Sequence, residues 1–174
     1  MPQSNRLLAT SVLLVQGCRI VNAVAVAFMV AALIATLPGA EWVEAALIRK
    51  YHGRVDPHLA IVFMQGTMLL SIPVGYAVER LFAALRAILR SVQDGVPFAF
   101  ANAARMRTIG WTMLVVQLAD LGFGLATVCA RALHLDYLGW QPSVTGWIAV
   151  LVAFVLAQVF ERGTAMQGDL EGTV

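Results

Sequence analysis

Charge is scarce in this sequence. Only 13% of its 174 residues are charged, against roughly a quarter in an ordinary soluble domain. Apolar residues fill the deficit, at 60% of the chain, with a mean hydropathy of +0.78. That balance points to a membrane protein. Cysteine is nearly absent. Cys18 and Cys129 are the two present, which excludes a disulfide framework and a thiolate metal cluster. No G-x-S-x-G, H-E-x-x-H, P-loop or Cys–His motif occurs, so neither an enzyme nor a bound cofactor is expected. A net charge of +2 gives direct nucleic-acid binding no support.

What is present is long apolar runs. A helix needs about 20 mostly apolar residues to cross hydrocarbon. Four segments qualify, at 20–37, 59–78, 109–129 and 144–160, and together they form one domain over 1–174. Arg6 followed by an apolar run resembles a signal peptide. Gln16 and Arg19 break that run, and no cleavage site follows, so 5–18 reads instead as an interfacial lead-in. Arg6, Arg19, Arg80, Arg86, Arg90, Arg105, Arg107 and Arg162 lie on one side of these spans. Arg49, Lys50, Arg54 and Arg131 lie on the other. The positive-inside rule then places both termini and the central loop in the cytoplasm. Trp42, Tyr51, Tyr137, Trp140 and Trp147 mark the outer interface and Trp111 the inner one.

Small residues recur every four positions in each span, as Ala23/Ala27/Ala31/Ala35, Thr67/Ser71/Gly75, Gly122/Ala126/Ala130 and Ala149/Ala153/Ala157. Close backbone approach drives helix association in lipid. The expectation is therefore an all-α antiparallel four-helix bundle, with a homo-oligomer as a further option. Pro73 should kink the second span. Leu81, Phe82, Leu85, Ile88, Leu89 and Val92 continue its helical stripe past the membrane. The third span's helix should start near Ala99, so the two form a cytoplasmic helical hairpin with Asp94-Gly95 as its turn. Arg80, Arg86, Arg90, Arg105 and Arg107 would hold this hairpin to membrane lipid, at about 1 kcal/mol per surface Arg, or to a protein partner. "AEWVEAALIRKY", 40–51, has the spacing of a helix lying on the outer interface.

Asp120 is the one acid deep in a span. Gln117, Asp120, Gly124, Thr127 and Arg131 share one helix face, and Gln65 on the second span has a similar depth. An intramembrane carboxylate is protonated, paired or wet. Gln65, Gln117, Asp120 and Thr127 thus form a candidate intramembrane polar site. Its structural version is a protonated Asp120 bonded to a neighbouring helix. Its functional version is a small oligomeric transporter or channel subunit. His52, Asp56, His58, His134 and Asp136 are better read as solvated loop residues than as metal ligands.

Gly95, Pro97, Phe98, Asn102, Arg105, Met106, Arg107, Ile109, Gly110 and Trp111 resemble the signature of the small bacterial membrane proteins called domain of unknown function 2975. The C-terminal Phe160, Arg162, Gly163 and Asp169-Leu170-Glu171 resemble that family's ending. Ala99 stands where the family usually has a hydroxyl cap. An N-cap oxygen is worth about 1 kcal/mol, and Asn102 is positioned to bond back to that backbone instead. The resemblance implies four spans and no known activity. It also implies a setting beside a small helix-turn-helix regulator, and so a membrane partner of such a regulator.

Overall fold

The computed structural model describes residues 2–37, 39, 41–52, 55–96, 99–132, 135 and 139–171. Five helices follow in order: α1 (Pro2–Ala35), α2 (Glu41–Tyr51), α3 (Pro57–Gln93), α4 (Phe100–Ala132) and α5 (Val144–Glu171). No strand occurs among the described residues. α1, α3, α4 and α5 are long and apolar enough to cross a membrane. α3, with 37 residues, is about 55 Å long at 1.5 Å per residue, well beyond the roughly 30 Å of hydrocarbon.

The helix ends follow from local chemistry. Asp56 caps α3 by accepting a 2.9 Å bond from the backbone N–H of His58. Pro57, whose missing N–H costs nothing in the first turn, follows it. At the other end Gly95 takes φ +80°, the left-handed region that suits glycine. Its N–H donates to Val92 O and the N–H of Val96 donates to Ser91 O. This bond pair is the Schellman arrangement, so Asp94-Gly95 is a true helix stop. α4 then begins at Phe100, one residue after the expected start. Pro73 lies inside α3, and the helix continues through it.

The long helices make contact in chain order: α1 on α3, α3 on α4, and α4 on α5, with the short α2 on α3. Among the described residues there is no close backbone approach of α1 to α4 or α5, or of α3 to α5. Along α1 and α3 the partners run in opposite senses: Arg19 with Glu79, Asn22 with Gly75, Thr36 with Gln65. One apolar cluster joins Ala84 and Ile88 to Ile109 and Ala153. A second joins Ala60, Ala130 and Leu135, with Leu47 and Tyr51 of α2 against it.

Two of the four small-residue ridges do not pack as expected. Ala23, Ala27, Ala31 and Ala35 are all exposed. The shielded seam of α1 is Val15, Arg19, Asn22, Val26, Met29, Leu33 and Thr36, in steps of four and three. Polar residues set this seam, because a bond to a neighbouring helix can only be made from one face. On α4 the ridge packs only at its far end: Ala130 is buried and Ala126 half-buried, while Gly122 is exposed with open space around it. Gly110 and Gly124 are the close-approach positions instead. Gly110 lies under the Phe154 ring and Gly124 under the Trp140 indole. The ridge on α5 is confirmed, with Ala153 and Ala157 buried, and Gly75 of α3 lies directly against Val26. The lead-in and the first span are one continuous helix, α1.

Candidate functional site

The α3–α4 turn is tied at its root by a polar chain. Asn102 is fully buried. Its Nδ2 donates to Ser91 Oγ at 2.5 Å, and Ser91 Oγ–H donates to Ile88 O at 2.9 Å. The Oδ1 of Asn102 accepts from Arg105 Nη1 at 2.8 Å, and that nitrogen also reaches Ala87 O at 3.3 Å. Asn102 thus crosses to α3 with its side chain, while its backbone N–H bonds Ala99 O. It binds two helices together rather than serving only the helix start it sits in.

Around this root four guanidinium groups from three helices line one cleft of about 370 Å³. Arg19 comes from α1, Arg86 and Arg90 from α3, and Arg105 from α4. Arg19 is held by both Nε and Nη2 on Glu79, the former at 2.8 Å. Asp94 is the one acid among the described residues that line the cleft. The Nε of Arg86 is buried and has no hydrogen-bond partner among the described residues. Guanidinium forks match the planar, multidentate acceptors of carboxylate and phosphate.

The other two expected contact arginines lie apart. Arg107 bonds Glu161 of α5 at 2.7 Å, with both groups half exposed. Arg80 shares a second cleft with Tyr76, Arg107 and Trp111. Trp111 also meets Phe154 edge-on, with ring centroids 5.3 Å apart. The family-motif residues Gly95, Asn102, Arg105, Arg107, Gly110 and Trp111 therefore all lie on the α3–α4 turn or the α4–α5 seam next to it. Pro97 and Phe98 lie outside the described residues, as do Pro38, Arg54, His134, Asp136 and Tyr137.

The four intramembrane candidates do not form one constellation. Gln65 Nε2 donates to Thr36 O of α1 at 2.6 Å. Gln117 lies against Gly146 at the start of α5, its Nε2 3.4 Å from Ser143 O. Thr127 is buried and donates to Phe123 O in its own helix. Asp120 lines a cleft between α3 and α4 with Thr67 and Ser71. The hydroxyls of Thr67 and Ser71 donate to Met64 O and Met68 O.

Sequence reading missed Asn22, Ser91 and the pairing of Arg19 with Glu79. A signal for them existed. Arg19 and Asn22 are polar, three residues apart inside an apolar run, and so share one face of α1. Among the described residues no group of three His, Cys, Asp or Glu side chains comes together to hold a metal.

Comparison with the curated proteins gives no match, and comparison with solved structures gives none either. A family model described as a protein of unknown function, DUF2975, matches residues 46–174, from α2 through the end of the chain. The match spans well over half of the sequence, and the chain belongs to the DUF2975 family.

Proposed function

We propose that this chain is a non-enzymatic inner-membrane protein that works by protein contact at its α3–α4 turn. In this reading the four long helices form an antiparallel set, the termini and the turn face the cytoplasm, and the turn projects as a helical hairpin. The observation that carries the reading is an apolar tip on a fixed mount. Phe100 is 86% exposed and Val96 50% exposed, directly beyond a root locked by Ser91, Asn102 and Arg105. Arg90, in the last turn of α3, is exposed as well. A large aromatic beside an arginine is the usual composition of a contact hot spot, and a prefixed mount lowers the ordering cost of binding. A small soluble helix-turn-helix regulator is the partner class that the family resemblance implies.

The test is co-purification of the detergent-extracted chain with a small soluble protein. Phe100→Asp combined with Arg90→Glu should lower recovery of that protein at least tenfold, while the melting temperature of the membrane protein holds. Undiminished recovery with the double variant would remove the turn from the contact.

A further inference from the structure

We propose that the cleft lined by Arg19, Arg86, Arg90 and Arg105 binds a phosphate-class anion, supplied by the headgroup of an acidic phospholipid. Four positive groups line it against one lining acid, Asp94, and Arg19 already has its own carboxylate in Glu79. Positive charge is left over inside a recess between helices. Burying a guanidinium nitrogen without a partner is costly, yet the Nε of Arg86 is in that condition. An anion in the recess would balance the charge of that guanidinium, which lines the cleft although its Nε is shut off from it. Arg19 and Arg105 are already oriented, by Glu79 and by Asn102 with Ala87 O. An incoming anion therefore meets groups that need little ordering.

The helix register says where that anion comes from. Arg19 of α1 lies level with Glu79 of α3, and the two helices run in opposite senses. Seven residues on, Arg86 is level with Val12 and its neighbours. Leu13 and Leu14 there are 72% and 65% exposed, and Leu7, further along, is 71% exposed. Exposed leucines at that level, past the roughly 30 Å of hydrocarbon, suit the membrane interface, so the cleft opens at headgroup height. Along α3, Pro73, Tyr76, Arg80, Ala83, Ala87, Arg90 and Asp94 step by three and four down one face. The first three of these line the more apolar Trp111 cleft, and the rest line the arginine cleft. An acyl chain against Tyr76 and Trp111 would place its phosphate among the arginines.

The experiment is native mass spectrometry of the full chain in detergent, titrated with phosphatidylglycerol, phosphatidylcholine or inorganic phosphate. One saturable phosphatidylglycerol per chain is expected, bound at least tenfold more tightly than phosphatidylcholine. Arg86→Gln with Arg90→Gln should weaken it tenfold or more. Arg131→Gln, in the last turn of α4 and lining neither cleft, should leave it within twofold. If the double variant fails to fold, the exposed Arg90→Gln alone should still cost at least threefold. Inorganic phosphate that displaces the lipid, or binds as tightly alone, would reassign the site to a free anion. Equal binding of the two lipids, or full affinity in a folded double variant, would overturn the proposal. Arg90 belongs to both tests. Phe100→Asp alone, at a residue outside the cleft, should lower partner recovery with lipid affinity intact, which lets the two readings fail separately.

Discussion

Asn102→Ala is expected to cost about 3 kcal/mol, at the upper end of what a buried partner left unsatisfied costs. The reason is the position of the side chain in the polar chain. Asn102 has no exposed surface, and it bonds Ser91 on one side and Arg105 on the other. Truncation leaves Arg105 with the longer bond to Ala87 O alone and Ser91 without its donor, and it cuts the side-chain tie between α3 and α4. Ser91→Ala should cost less, about 1 kcal/mol, since a hydroxyl with one lost partner is a neutral case. The double variant should fall short of the sum, because both changes break one bond. Denaturant titration of the chain in mild detergent measures all three. A loss below about 1 kcal/mol for Asn102→Ala would mean that the turn is held by its apolar contacts alone. The effect should also appear as protease sensitivity confined to the α3–α4 turn.

The second large effect concerns the seam between α1 and α3. Gly75 is buried, and a Cβ placed there would run into the Cγ2 of Val26. Valine has one strongly preferred side-chain rotamer in a helix, so it cannot swing aside. The carbonyl of Gly75 also accepts a 3.0 Å bond from Asn22 Nδ2, which requires the two backbones to stay close. Gly75→Val should therefore cost about 3 kcal/mol or more, at the upper end of the range for overpacking, and should release α1 from α3. A compensating pair separates this cause from a loss of helix propensity. Gly75→Ala alone should destabilise, and Gly75→Ala with Val26→Ala should recover most of the loss. No recovery in the pair would show that the close approach is not what Gly75 supplies. The same logic ranks the other glycines. Gly66 and Gly122 have open space around them, so alanine there should be nearly silent.

Legibility in the sequence followed the physics of each feature. The four long helices were readable because a span is a matter of length and apolarity, which composition records directly. The α3–α4 turn was readable because left-handed backbone favours glycine, and Gly95 follows Asp94. The faces of the spans were much less readable. In lipid a helix is apolar all round, so periodicity does not mark the side that packs. On α1 the alanine ridge is exposed, and Arg19 and Asn22 mark the packed side. On α4 the relevant glycines are Gly110 and Gly124, which lie under Phe154 and Trp140. Their ring partners are 16 or more residues away in sequence, so only the fold brings them together. Gln65 and Asp120 illustrate the same limit. Equal depth on neighbouring spans suggested a pair, but Gln65 turns to Thr36 of α1 instead. Depth is set by residue count along one helix, whereas rotation is set by what each face meets. The arginine cleft was visible only as a list of charges on one side. Its convergence depends on Arg19, which lies 60 residues before Glu79 and well before the turn.

Both the partner contact and the lipid site require the α3–α4 turn to face the cytoplasm. That orientation is measured most directly by paired reporter fusions at Gly95, one enzyme active only in the cytoplasm and one only outside it. The account predicts activity from the cytoplasmic reporter and silence from the other, with the pattern reversed for fusions at Gly39. Activity of the external reporter at Gly95 would contradict it.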